Sequence, residues 1–352
     1  IENELSSCNR RSEVYERIRN CRIIVGTVAA ISGKPELFRL KHFNVSIIDE
    51  ATQILEPQLL GILCARGEDD RNAIDKFILI GDHKQLPAVV LQNTEQSAIY
   101  DEALLSVGLT NLKDSLFERL YRNCSADKSS SVITDSSSPA IAHRSSLVTP
   151  RSYDMLCRQG RMHPEVALFA NRAFYGGRLI PVGLPHQLED SGHISRVAFY
   201  PSIPERAGSS AKVNSSEARI VAGLAARIYE SNQKHFDESR TLGVITPYRS
   251  QIALIKKEIE TLGIPALNRI LVDTVERFQG SERDVIIYSF CVNHPYQLKF
   301  LSNLTEEAGV LIDRKLNVAL TRARKQMIIT GVPGLLKRNP IYKSLLNLIE
   351  HA

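Results

Sequence analysis

Asp49 and Glu50 stand side by side at the end of an apolar run, in IIDEATQ. Such a pair can divide two tasks. One carboxylate holds a divalent cation that neutralises a polyphosphate, and the other works as a base about one water away. Polar residues at a strand exit explain the same pair when it is read alone. A second apolar run ends in ILIGDHKQLPAVV. There Gly81 permits a close backbone turn, and Asp82 and Gln85 could sense a terminal phosphate from the neighbouring strand end. A Gly-Asp turn is ordinary by itself. It carries more weight on the strand that follows IIDEATQ.

Elements must hold these residues in place. CRIIVG (21–26), VSIIDE (45–50) and KFILIGD (76–82) are continuous apolar runs without alternation. That pattern predicts strands buried on both faces, hence a parallel sheet between helices. A helix is predicted between the second and third strands, from Pro57 to Cys64. The second half repeats this order. Strands are predicted at RVAFY (196–200), TLGVITPY (241–248), RDVIIYSF (283–290) and KQMIITG (325–331). Helices are predicted at EARIVAGLAARIYE, capped by Ser215 or Ser216, and at QIALIKKEIETLG, stopped by Gly263. RKLNVALTRAR (314–324) also reads as a helix, and the last twenty residues as helical material interrupted at Pro340. Ligands of such sheets bind at the carboxyl ends of the strands.

A serine-rich segment, Cys124 to Ser146, separates the halves and reads as a linker or a surface insertion. The expected organisation is 1–146 and 147–352. At 43% hydrophobic and 24% charged residues, the 352-residue chain is neither disordered nor fibrous. A net charge of +5 permits a nucleic-acid partner without requiring one. The longest apolar runs are too short to span a bilayer, so no membrane association and an intracellular location (cytoplasmic, or nuclear in a eukaryote) are expected. Six cysteines without a CxxC pair read as reduced structural thiols, and no protein partner is legible.

Taken together, these segments resemble the superfamily-one helicases, in their Upf-one-like branch. DEATQ is similar to motif II and GDHKQLP to motif III. QGRMHPEVALFANRAFYGGRL is similar to the opening of the second RecA-like domain. ITPYRSQ resembles motif IV, VDTVERFQGSERDVII motif V, and LNVALTRARKQMIITG motif VI. The matches run in order from about Cys21 to Gly331. The resemblance implies an α/β fold of two RecA-like parallel-sheet domains, the first incomplete. It implies ATP and Mg²⁺ as cofactors, and movement on single-stranded DNA or RNA, 5′ to 3′. Two departures stand out. No GxxxxGK[ST] phosphate loop occurs, so the chain is expected to begin after it and to be inactive alone. Gly160 replaces the family's usual Tyr before the Arg of RMH, which removes an aromatic that would stack on adenine.

By the same resemblance, Asp49 would hold Mg²⁺ through water and Glu50 would be the catalytic base. Gln85 would contact the γ-phosphate, with Asp82 and Gly280 in the nucleotide site and Glu282 at the ribose or γ-phosphate. Arg161 and Arg322 would reach the γ-phosphate from the second domain, their forks suited to phosphate oxygens. Arg322 would lie on a helix as the arginine finger, with Arg324 pointing away. Thr27, Pro247, Tyr248, Arg249 and Thr274 follow strands and would bind nucleic-acid phosphates without reading sequence. Tyr248 could equally be a packed tyrosine. Arg10, Arg11, Arg17, Arg19 and Arg22 form a basic cluster that suits either a nucleic-acid strand or an ordinary helix surface. The alternative to a motor is a silent RecA-like module that binds nucleic acid or protein. A nuclease-linked subunit is less favoured, since no clustered nuclease carboxylates are visible.

Overall fold

The computed structural model describes residues 11–93, 95–126, 153–190, 195–205, 210–307 and 309–351. Most of the serine-rich stretch, the proposed boundary at 146, Cys8 and Arg10 lie outside them. By backbone contacts the chain divides into two compact units. One holds residues up to His83 and from Pro87 to Asp154; the other holds Lys84–Leu86 and Met155 onward.

The first unit is built on two parallel strands, β1 (Phe43–Ile48) and β2 (Ile74–Leu79), with Ile48 opposite Leu79. The connecting helix α1 (Glu56–Leu63) buries Leu59 and Ile62 against one face of the pair, beside Phe38, Ile48, Ala51 and Leu116. Alternation along a strand sends Val45, Ile47, Ile78 and Ile80 to the other face, where all four are exposed. Burial on both faces was expected here and is not found, because among the described residues no layer covers that side. CRIIVG likewise forms no strand. Ile23 is 76% and Val25 90% exposed, with no neighbouring strand to take their hydrogen bonds.

The second unit carries five parallel strands: β5 (Val197–Pro201), β6 (Leu242–Ile245), β7 (Leu271–Asp273), β8 (Arg283–Ser289) and β11 (Ala323–Gly331), in the order β5-β11-β8-β6-β7. Two short pairs lie outside this sheet. β3 (Arg158–Gln159) runs beside β4 (Ile180–Pro181), and β9 (Leu304–Glu307) is antiparallel to β10 (Val310–Asp313). Alternate residues of the five strands feed two cores. Leu242, Val244, Val285, Ile287 and Ile328 pack under α3 (Ser215–Asn232) and α4 (Arg249–Glu260). Ile245, Ile286, Met327 and Ile329 pack under α2 (Pro164–Phe174), α5 (Arg314–Leu320) and α6 (Pro340–Glu350). Here the apolar runs are buried on both faces, and the expected α/β parallel-sheet class holds.

Three local expectations are corrected. The cap of α3 is Asn214, whose side chain accepts from Glu217 N; it is not Ser215 or Ser216. The last twenty residues are interrupted as expected, but Pro340 does not cut a helix: helical residues Pro333–Leu336 end before it, and Pro340 opens α6, where its missing N–H costs nothing. The helix predicted over 314–324 stops at Leu320. Thr321 turns its hydroxyl back onto the Asn317 and Val318 carbonyls, and Ala323 already belongs to β11.

Candidate active site

In the first unit, β1 and β2 end together, and that edge carries Asp49, Glu50 and Asp82. Glu50 adopts a left-handed backbone (φ 51°), a conformation that costs a non-glycine residue about 1 kcal/mol or more. It is held there by Asp49 Oδ1, which accepts from Glu50 N at 2.9 Å, and by Gln53 Nε2, which donates to Glu50 Oε2 at 2.5 Å. Ala51 N bonds to Ile80 O at 2.8 Å and ties the two strand exits together. Gly81 has no room for a side chain: a Cβ there would lie 2.9 Å from Thr52 Cγ2. Thr27 caps the short helix Val28–Ser32, its hydroxyl accepting from Ala30 N at 3.2 Å.

In the second unit, Arg322 is buried, with 2% of its surface exposed. Its Nε donates to Val318 O at 3.1 Å, and its terminal nitrogens reach Thr321 Oγ1 and Gln85 Oε1, both at 3.1 Å. Asn317 Nδ2 bonds to Lys84 O at 2.8 Å, so the Lys84–Leu86 segment is fastened at two points to the end of α5. Arg322 therefore lies in a turn between helix and strand, not on a helix as expected, and simple surface solvation does not describe it. Arg161 Nε donates to Glu282 Oε2 at 2.8 Å. Arg324 reaches the same carboxylate at 3.4 Å and Asp284 at 3.0 Å. Far from pointing away, Arg324 belongs to this cluster, because β11 replaces the helix that would have turned it aside. Gly280 is left-handed (φ 78°) and releases the chain from the helical turn Val275–Phe278 toward Glu282.

Four of the five predicted nucleic-acid residues gather at the carboxyl edge of β6 and β7 in the second unit, whereas Thr27 belongs to the first. Pro247, Tyr248 and Arg249 lead into α4, and Thr274 leads into Val275–Phe278. Tyr248 is part-buried, and its hydroxyl accepts from Gln297 Nε2 at 3.2 Å. Burial raises its pKa. In the basic cluster, Arg17 and Arg19 sit in the last turn of the exposed helix Arg11–Asn20.

Sequence reading missed a buried polar hub behind this edge. Glu217 is fully buried and accepts from the Ser289 hydroxyl at 2.6 Å and from Cys291 N at 2.9 Å. Burial pushes its carboxyl up to about 7 despite these bonds. The available signal was Asn214 three residues before a glutamate on an apolar helix face, the pattern of a cap followed by a residue that should have been apolar. Glu276 and Lys315 were missed too; they pair at 3.3 Å. Burial pushes the Glu276 carboxyl up, but its own backbone N–H, the Thr274 hydroxyl and Lys315 outweigh this and hold it below the ordinary carboxylate range.

Comparison with known proteins places this geometry. A family model described as "AAA domain" matches residues 112–333, well over half of the chain, and a second AAA-domain model matches residues 3–93. The chain belongs to this AAA-domain family. It is 30% identical over 344 residues to "Probable helicase MAGATAMA 3" of Arabidopsis thaliana, covering 93% of this chain and 35% of that protein. It is 27% identical to "DNA replication ATP-dependent helicase/nuclease DNA2" of Bos taurus, covering 95% and 29%. It is also 27% identical to "Regulator of nonsense transcripts 1 homolog" of Neurospora crassa, covering 98% and 27%. These relatives put the AAA domains in the superfamily-one, Upf-one-like branch. The chain spans about a third of the length of the curated relatives it matches.

In these AAA domains the donor set at the first unit's edge suits a hard cation. Asp49 and Glu50 are exposed carboxylates, and Mg²⁺ takes one or two carboxylates and completes its shell with water and phosphate. The position of Gly160 is also explained locally. A Cβ there would meet Leu184 Cδ1 at 3.2 Å and Val182 Cγ2 at 3.4 Å, so a larger side chain would press on the exposed Leu184. Among the described residues no helix is long and apolar enough to cross a membrane. Cys21, Cys64, Cys124, Cys157 and Cys291 are free thiols.

Proposed function

We propose that the chain is the motor portion of an ATP-dependent helicase or translocase acting on single-stranded nucleic acid. What carries this reading is the family match along nearly the whole chain to helicase-named relatives. The motor consists of two RecA-like domains, 1–146 and 147–352. Asp49 binds Mg²⁺ and Glu50 takes the proton of the attacking water, with Asp82 and Gly280 at the nucleotide. Mg²⁺, when bound, offsets charge on the phosphates. Arg161 and Arg322 offset charge on the γ-phosphate, and Gln85, bonded to Arg322, reports that state to the strand-binding edge. Glu282 holds Arg161 in position.

On this reading Thr27, Pro247, Tyr248, Arg249 and Thr274 hold the backbone of the strand. The purified chain should bind single strands without sequence preference, with log affinity falling linearly against log salt. Anisotropy titration of mixed-sequence single strands at rising salt tests this. Binding that ignores salt, or tight binding to one sequence alone, would count for a silent module with another task.

A further inference from the structure

A small polar pocket opens at the carboxyl ends of β6, β7 and β8, with a volume of about 20 Å³. Thr246, Glu276, Tyr288 and Lys315 line it, with Pro247 and Leu301 at its sides. Thr246 is fully buried, and its Oγ1 has no hydrogen-bond partner among the described residues. Tyr288 beside it is also buried, with 3% of its surface exposed. Folded proteins rarely leave buried hydroxyls unsatisfied, so the pocket is built for an occupant. The space admits one water-sized group and nothing larger. A phosphate is too large and is repelled by the ionised Glu276, and a base is larger still. The occupant must donate to the Glu276 carboxylate and accept from Thr246 or Tyr288. One hydroxyl does both.

The pocket adjoins Pro247 and lies one residue from Tyr248, at the edge assigned above to the strand. Lys315 beside it is a cation suited to the neighbouring phosphate. We propose that this pocket receives the 2′-hydroxyl of a bound ribose, so that the chain prefers single-stranded RNA to DNA. This inference rests on the single-strand reading of the edge. The 2′-hydroxyl is the one group that is both donor and acceptor and distinguishes the two nucleic acids. A deoxyribose offers Thr246 no such partner.

The test is a titration of the chain with a short oligouridine, its 2′-deoxy counterpart and its 2′-O-methyl counterpart at one salt concentration. RNA should bind about tenfold more tightly than DNA, the size of one net hydrogen bond. The 2′-O-methyl strand should lose that advantage, because it has no donor and the methyl exceeds the space. Thr246→Val and Tyr288→Phe should each bring the RNA-to-DNA ratio toward one. Unchanged melting would verify that both fold. Equal binding of RNA and DNA would mean that the pocket holds a structural water only and would overturn the proposal. So would a ratio that survives 2′-O-methylation and both substitutions. Failure to bind any strand would overturn the single-strand reading as well, and so separates the two.

Discussion

Arg322 shows how one residue type can be legible and its surroundings not. Its place after NVALT marks a phosphate-directed arginine, but its burial and its bond to Gln85 come from long-range packing. Removing it should cost folding as well as turnover. Arg322→Ala leaves the Val318 carbonyl, Thr321 and Gln85 without their donor and opens a cavity, a loss of about 2–4 kcal/mol in denaturant unfolding. Arg219→Ala, on the exposed side of α3, should change stability by about 0.5 kcal/mol or less. Equal effects would remove Arg322 from the buried cluster. Glu217 makes a second residue-scale prediction. The folded chain keeps its proton up to about pH 7, whereas the unfolded chain releases it near 4.5. Between those values the native state binds more protons, so rising pH weakens it, by an amount on the order of 3 kcal/mol. Glu217→Gln should flatten the fall in melting temperature across that window. An unchanged slope would show that another group titrates.

At the scale of elements, most strands and helices of the second unit could be read from apolar runs, because each run there has a neighbour on both sides. β6, β8 and β11 were visible within a few residues. The end of α5 was not, since nothing local distinguishes a helix continuing through Thr321 from one that turns into a strand. That single misreading moved Arg324 from a bystander to a member of the Glu282 cluster. The first unit misled in the opposite way. Its runs have the composition of doubly buried strands, yet among the described residues nothing covers one face of β1 and β2, with Ile47 65% exposed. A contiguous apolar face of this kind binds hydrophobic dyes and promotes association. Ile47→Lys combined with Ile78→Lys should lower dye binding and aggregation while leaving the cores around Leu59 and Ile62 intact. Unchanged dye fluorescence would place the sticky surface elsewhere.

For the whole molecule, the family could be read from motif order alone, because motifs II to VI fall at strand ends where chemistry constrains residue type. The small pocket beside Thr246 could not, because it depends on where three strand ends meet. The sequence contains no GxxxxGK[ST] loop, and the purified chain should turn over ATP far below the ordinary range of about 1–10³ per second. The most direct test of a motor is therefore to supply that loop, by joining a segment that carries GxxxxGK[ST] ahead of this chain, and to measure ATP hydrolysis with and without single strands. Single strands should stimulate turnover, Glu50→Gln should abolish it, and Arg322→Ala should lower it by about 10³-fold or more at retained strand binding. Hydrolysis that ignores single strands, or that survives both substitutions, would contradict the assignment of this chain as a helicase motor.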